Sequence, residues 1–180
     1  MNVFIAGPRA IKTLDKVVEE RLRSIFEKKL TVLVGDANGI DTAVQRYYSR
    51  LEYSEVIVYA SEGKARNNVG SWEVRNVAVE ENAKGFDYYA AKDLSMSSDA
   101  DYGFMIWNGE SKGTLNNIIN LVSSNKTTVV YLAWTESFFD VDSMDKLRNL
   151  IALCGQGTQK LFDRLSNHPV RTIYQQVSLF

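Results

Sequence analysis

The sequence predicts an α/β fold: a doubly wound, mainly parallel sheet with helices on both faces and a small C-terminal accessory element. Short, almost wholly apolar segments of strand length alternate with segments whose apolar residues have helical spacing. Strands of this kind are typical of a parallel sheet that is covered on both faces. Beyond residue 136 the alternation stops. We therefore divide the chain into a main domain, residues 1–136, and an accessory segment, residues 137–180.

The elements of the main domain follow in the order that this fold requires. Strands are predicted over residues 3–6, 30–34, 55–60, 102–107 and 128–134. Helices are predicted after an N-cap at Thr13 and over residues 43–51, 74–83, 92–98 and 115–124. Residues 67–73 are irregular and polar, and residues 86–90 are assigned to a short strand or an extended segment.

The accessory segment has a different pattern. Residues 137–144 are predicted to form a loop, and apolar residues at helical spacing predict a helix over about residues 147–153. Gly155 and Gly157 interrupt this pattern before a further short helix around residues 161–165. Residues 172–179 are predicted to form an edge strand.

The composition excludes several classes of function. The 180 residues carry a net charge of −1 and no basic run, so we predict no duplex nucleic acid as a partner. The single Cys154 excludes an intramolecular disulfide, His168 is the only histidine, and no Cys/His cluster suggests a metal. Because the chain has neither a signal-peptide pattern nor a membrane-spanning segment, we expect a cytoplasmic protein without a membrane partner.

Three predicted strands end in loops of small residues. In an open parallel sheet, ligands bind where the carboxyl ends of the strands meet and the strand order reverses. The first two loops contribute Gly7, Pro8, Arg9, Gly35, Asp36, Ala37, Asn38, Gly39 and Asp41 as ligand-binding candidates. The third contributes Trp107, Asn108, Gly109, Ser111, Lys112, Gly113 and Thr114.

The third loop connects a strand to a helix through Gly109 and Gly113. Such a junction presents unpaired backbone N–H groups and the positive end of a helix dipole, which suits a phosphate. The loop spells neither of the two common phosphate-binding glycine motifs. The alternative is an ordinary strand-to-helix turn with Thr114 as the cap.

Two charged residues of the other loops also have alternative roles. Arg9 suits a bidentate contact with a phosphate, or it is a solvated surface arginine. Asp41 opens a helix, where a carboxylate caps free N–H groups or contacts a ribose or a base.

A fourth group of candidates follows the third strand. Arg66, Trp72, Arg75 and Asn76 combine a stacking face, phosphate partners and a reader of base edges. The alternative is a surface loop whose Trp72 folds back onto the sheet.

Two of the glycine loops resemble those of a known superfamily. Residues 34–41 (VGDANGID) resemble the glycine-rich loop of the DprA/LOG-like (SLOG) superfamily of Rossmann-type nucleotide-binding domains. Residues 107–114 (WNGESKGT) resemble the second signature of its YspA/YpsA-like branch, and the likeness extends over residues 1 to about 135. It implies a Rossmann-like domain that binds a nucleotide or a nucleotide derivative, in a sensor, stress or defence role. It also implies self-association through helices beside the site.

One departure from that superfamily bears on catalysis. Its phosphoribohydrolase members read Pro-Gly-Gly-x-Gly-Thr-x-x-Glu at the second signature, where the glutamate helps to break the N-glycosidic bond. Here the helix continues with the amides Asn116 and Asn117. An amide donates to a ligand hydroxyl, so Asn117 is a binding candidate, but it cannot act as nucleophile or base.

Three hypotheses about function follow. The first is a binding module for a nucleotide or nucleotide-derived ligand, with no other cofactor. The second is an N-glycosidase that releases a free base from a nucleoside monophosphate, with Asp101, Asp41 or Glu110 as the working carboxylate. The third is a protein-interaction role for the accessory segment.

Overall fold

The computed structural model describes residues 1–61, 64–79 and 85–167, with the side chains of residues 86–89 left aside. The predictions for residues 80–83, for His168 and for residues 172–179 lie outside the described residues. Within the described ranges, one seven-stranded sheet is covered by six helices. The strands are β1 Asn2–Ala6, β2 Thr31–Gly35, β3 Val56–Ser61, β4 Glu73–Val77, β5 Tyr102–Trp107, β6 Thr128–Leu132 and β7 Ser137–Val141. The helices are α1 Lys16–Glu27, α2 Ile40–Arg50, α3 Phe86–Asp99, α4 Lys112–Ser123, α5 Met144–Ala152 and α6 Gln156–Asn167.

The strand order confirms the predicted doubly wound fold. It runs β4-β3-β2-β1-β5-β6-β7, and each neighbouring pair is parallel except β6 with β7. The chain builds the sheet outward from β1 to β4, returns through α3, and continues with β5 on the other side of β1. The order therefore reverses between β1 and β5, where the carboxyl ends of the strands leave room for a ligand.

The core lies on both faces of the sheet because each central strand buries both sets of side chains. In β1, Val3 and Ile5 belong to the core that α1 and α2 cover. Phe4 and Ala6 belong to the opposite core, which contains apolar residues of α3, α4, α5 and α6. Alternate residues of a strand point to opposite faces, so burial on both sides accounts for the continuous apolar runs in the sequence.

Two sequence predictions for residues 74–90 are wrong. Residues 74–77 were expected in a helix, but they belong to β4, which pairs in parallel with β3. Val74, Val77 and Ala78 do have helical spacing, and sheet pairing overrides that local pattern. Residues 86–90 form the start of α3 rather than a short strand or an extended segment.

The predicted loop over residues 137–144 contains β7. Its side chains serve both cores: Phe138 packs on the α1 and α2 side, and Phe139 packs on the other. The predicted strand over residues 128–134 ends at Leu132, because the chain turns there towards β7. The division at residue 136 stays a prediction, although β7, beyond it, belongs to the same sheet.

Helix starts also differ from the sequence prediction. α1 begins at Lys16 with Asp15, not Thr13, at its N-cap, and the Asp15 carboxylate accepts a hydrogen bond from the Tyr131 hydroxyl at 2.6 Å. None of the described helices is both long and apolar enough to cross a membrane.

Candidate functional site

A cleft of about 440 Å³ opens where the strand order reverses, at the carboxyl ends of β1 and β5. We call it the switch-point cleft. Its walls combine the three predicted loops with residues of α3. The lining residues are Ala6, Gly7, Pro8, Arg9, Ala10, Ala37, Asp41, Ala90, Lys92, Asp93, Met96, Asn108, Glu110, Ser111, Gly113 and Asn117. The structure thus brings together members of all three loops, and their role in binding a ligand stays a prediction.

Glycines allow the first two loops to approach each other closely. Gly39 has a φ of +89°, and a Cβ there would lie 2.5 Å from the Arg9 Cα. A Cβ at Gly35 would collide with the Asp41 carboxylate and would lie 2.8 Å from Lys92 Nζ. Both glycines therefore shape the wall of the cleft rather than line it.

The third loop is held rigidly by its own hydrogen bonds. The Asn108 side-chain oxygen accepts from the N–H groups of Glu110 at 3.2 Å and Ser111 at 2.9 Å. The buried Trp107 indole donates to the Ser111 carbonyl at 3.2 Å. Gly109, with a φ of +80°, accepts from the Thr158 hydroxyl at 2.6 Å. The loop is therefore ordered before any ligand arrives.

The start of α4 faces the cleft. Ser111, rather than Thr114, is the N-cap, since its hydroxyl oxygen accepts from the Thr114 N–H at 3.4 Å. Lys112 is exposed at the first position of the helix, and the Gly113 N–H has no acceptor among the described residues. Asn117 lies one turn further along the same helix face.

Asn117 has an unusual environment for a buried amide. It lines the cleft with only 3% of its surface exposed, and its side-chain oxygen has no donor among the described residues. Leaving such an atom unpaired costs about 1–3 kcal/mol, which a donor on a ligand would recover. Asn116, its neighbour, is also buried but does not line the cleft.

Lys92, a buried lysine in the cleft, is not among the candidates that the sequence suggests. Lys92 of α3 is 4% exposed, and its Nζ lies 3.2 Å from Asp93 Oδ1 and 4.0 Å from Asp36 Oδ1. Burial alone would lower the pKa of Lys92, but the carboxylates of Asp93, Asp41 and Asp36 raise it above its ordinary value. The lysine therefore stays charged and holds these carboxylates together. Its sequence neighbours gave no signal of this role.

The carboxylates around Lys92 differ in their ionisation. Burial raises the pKa of Asp41 to about 6, against the attraction of Lys92. Burial would also raise the pKa of Asp36, but hydrogen bonds from Arg66 hold it below its ordinary value. Arg66 forms a fork with Asp36, at 2.6 Å from Nη2 and 3.0 Å from Nε. Asp41 accepts from the Ala37 N–H at 3.2 Å and so fixes its own loop.

A smaller depression of about 250 Å³ adjoins the cleft and shares Arg9 with it. Arg9, Asn38, Arg66 and Asn67 line it, and the Asn67 amide donates to Asn38 Oδ1 at 3.1 Å. Arg66 and Asn38 thus lie beside the cleft. No group of three or more His, Cys, Asp or Glu side chains in the described ranges is arranged to hold a metal ion.

The structure separates three other binding candidates from the cleft. Trp72 precedes β4 at the amino end of the sheet, and its indole donates to the Tyr53 carbonyl at 2.7 Å, so it is folded back. Arg75 bonds the Tyr59 hydroxyl at 2.8 Å and Asp99 at 3.0 Å. Asn76 is exposed on β4.

Asp101 also lies at the wrong end of the sheet for a catalytic group in the cleft. It precedes β5, and its carboxylate accepts from the Asn2 N–H at 2.7 Å. Of the three candidate carboxylates, Asp41 and Glu110 line the cleft and Asp101 does not.

Comparison with known proteins supports the fold. No protein-family model and no curated protein matches this chain. A solved structure of DNA processing protein A from Helicobacter pylori is similar with a TM-score of 0.57 and 11% sequence identity, over 93% of this chain and 80% of that chain. That structure is described as revealing a unique single-stranded DNA binding mode. At this identity the likeness establishes the fold alone. The fold agrees with the one that the DprA-like resemblance implies.

This likeness corrects the predicted partners. The sequence predicts a small nucleotide or its derivative as partner, excludes duplex nucleic acid because the chain has no basic run, and leaves a homo-oligomer open. These partners include no nucleic acid, and that part of the prediction is wrong, because the solved structure with this fold binds single-stranded DNA. A single strand is bound by stacking on aromatic side chains as well as by positive charge, so the lack of a basic run argues less strongly against a single strand than against a duplex.

Proposed function

We propose that the switch-point cleft binds a nucleotide unit, with its phosphate at the start of α4 and its sugar towards Asp41 and Asn117. Two sources supply this chemistry, a free nucleotide and a single strand of nucleic acid. The similarity in fold to a protein that binds single-stranded DNA supports including the second source.

One observation carries the proposal. The start of α4, where the Gly113 N–H has no acceptor among the described residues, and the Asn117 side-chain oxygen, which has no donor among them, lie on the same wall of the cleft. The first offers a donor and a helix dipole to an anion. The second offers an acceptor to a hydroxyl or an amine. A phosphorylated sugar carries both complementary groups.

The size and the charge of the cleft favour a single unit. A volume of about 440 Å³ falls within the range of about 300–1,000 Å³ that small-molecule sites occupy. Arg9 and Lys92 face the acidic Asp41, Asp93 and Glu110, so the lining has no excess of positive charge. A long phosphate backbone requires a basic track, whereas one phosphate is satisfied by a helix start and one arginine.

Equilibrium dialysis tests the proposal with nucleoside monophosphates, NAD, ADP-ribose, ribose 5-phosphate and short single-stranded oligonucleotides. Gly113→Val fills the space at the start of α4 and should abolish binding. Gly157→Val is the matched control, because Gly157 is the second residue of α6 as Gly113 is of α4, and a Cβ at either meets no atom within 4 Å. Binding that survives Gly113→Val, or no binding by the wild type, would refute the proposal. The relative affinities of monomers and oligonucleotides identify the source.

Base release from a nucleotide is a second candidate, favoured by the buried Asp41 carboxyl in the cleft and its pKa of about 6. A carboxyl group that titrates near neutral pH suits acid–base or nucleophilic work. Chromatography after incubation with the same nucleotides would detect the free base. Asp41→Asn and Glu110→Gln should each stop the release, and Asp101→Asn, at the opposite end of the sheet, should leave it unchanged. If none of these nucleotides releases its base at high protein concentration, base release from them is excluded.

A further inference from the structure

Trp134 is an exposed aromatic residue beside the switch-point cleft. It is 59% exposed, whereas Trp107 is fully buried and Trp72 packs at the amino end of the sheet. Tyr102 is exposed as well, but it opens β5 at that same amino end. Of the side chains that the structure describes, Trp134 is therefore the one large aromatic that is exposed at the end of the sheet where the cleft opens.

The backbone, and not burial, fixes the position of Trp134. It lies in the tight turn between β6 and β7, where the Thr135 N–H donates to the Leu132 carbonyl at 3.1 Å. The Ala133 N–H donates to the Trp107 carbonyl at 2.8 Å, which ties this turn to the end of β5. The backbone of Trp134 is thus held beside the third loop, and most of its side chain faces solvent.

The Trp134 indole lies close to the third loop at Gly109. Trp134 Nε1 lies 3.0 Å from the position that a Cβ would take on Gly109. The residues on either side, Asn108 and Glu110, both line the cleft. Because Gly109 has no side chain and is anchored by Thr158, it forms a low and fixed rim between the two spaces.

We infer that Trp134 is the stacking surface for the nucleobase of a nucleotide unit whose phosphate and sugar occupy the switch-point cleft. The inference rests on the proposed function. The base crosses the rim at Gly109 and lies against the indole face. Stacking on an aromatic ring accepts every base because each has a π-face, so the site should discriminate little among bases. This assigns to Trp134 the role that the sequence suggested for Trp72.

Calorimetric titration with AMP and with ribose 5-phosphate tests the inference, because the second ligand lacks only the base. Base–aromatic stacking contributes about 1–3 kcal/mol, so Trp134→Ala should weaken AMP binding by about 5- to 150-fold. The same variant should leave ribose 5-phosphate binding unchanged. Trp134→Phe keeps a ring and should retain most of the AMP affinity. Trp72→Phe is the control at the far end of the sheet and should change neither ligand.

The outcomes separate this inference from the proposed function. If wild-type protein binds both ligands and Trp134→Ala changes neither, stacking is overturned and the cleft assignment stands. An equal loss for AMP and ribose 5-phosphate also overturns stacking, since it means that Trp134 only shapes the third loop. If the wild type binds neither ligand nor any oligonucleotide, the proposed function fails and the inference fails with it.

Discussion

Replacing Gly113 with alanine should make the free protein more stable and impair ligand binding at the same time. Gly113 has a helical conformation as the second residue of α4, and a Cβ there would meet no atom within 4 Å. Neither backbone strain nor packing therefore requires glycine. A glycine within a helix lowers stability by about 0.5–1 kcal/mol relative to alanine. The free energy of unfolding of Gly113→Ala should therefore exceed that of the wild type by up to that amount.

Urea denaturation measures the first effect. With a slope of about 2 kcal/mol/M, a gain of about 0.5–1 kcal/mol raises the midpoint by about 0.25–0.5 M. Gly157→Ala in α6 has the same helical position and the same open surroundings, so it should give a similar rise. The two variants should differ in nucleotide binding alone, which Gly113→Ala weakens because the methyl group enters the space of the phosphate.

Two results would refute this reasoning. A destabilised Gly113→Ala variant would mean that the start of α4 needs glycine for its backbone or its packing. A stabilised variant that binds nucleotides as well as Gly157→Ala does would mean that the ligand does not approach α4 at this residue.

Three further predictions concern the charges and anchors of the cleft. Lys92→Met leaves Asp36, Asp41 and Asp93 without their buried cation and should lower the free energy of unfolding, measured by urea denaturation, by about 3–5 kcal/mol. Lys146→Met, which breaks an exposed pair with Asp142, is the control and should change the midpoint far less. The pKa of Asp41 is about 6 in the folded protein and about 3.9 in the unfolded chain, so the folded state binds the extra proton between these values and loses stability as pH rises through them. The free energy of unfolding of Asp41→Asn should therefore rise relative to that of the wild type, by on the order of 2–3 kcal/mol, as the pH increases from 4 to 7. If denaturation curves of the two proteins show no such change, the burial of this carboxyl is contradicted. Thr158→Val removes the hydrogen bond to the buried Gly109 carbonyl and should cost about 1–3 kcal/mol, measurable by thermal unfolding, while an unchanged midpoint would mean that water replaces the hydroxyl.

The central part of the sheet could be predicted from the sequence because its strands are buried on both faces. β1, β2 and β5 present continuous apolar runs, and no other element explains such runs at that length. Among the described strands, β4 and β7 lie at the edges of the sheet, and each has a neighbouring strand on one side only. Their patterns are mixed, and pairing with β3 and β6 decides their conformation rather than local preference.

The candidate site was predictable where the backbone forms it, and unpredictable where the tertiary fold brings in a side chain. Glycine loops after apolar strands marked the wall that contains Gly7, Asp41 and Gly113. Lys92 reaches the cleft from α3, whose first residues the sequence assigns to a short strand or an extended segment, and nothing local distinguishes it from a surface lysine. The same reason explains why the sequence suggested Trp72 as the stacking residue, whereas we infer Trp134. The sequence does not reveal at which end of the sheet an aromatic residue lies.

The hydrogen bond between Thr158 and Gly109 bears on when the cleft is completed during synthesis. The two residues are 49 positions apart, and every residue that lines the cleft precedes α6 in the chain. Because translation proceeds from the amino terminus, all the walls are made before the residue that anchors one of them. A nascent chain that ends before α6 holds the parts of the cleft without this anchor. We therefore expect full binding competence to arise late in translation, as the last described helix folds against the rest.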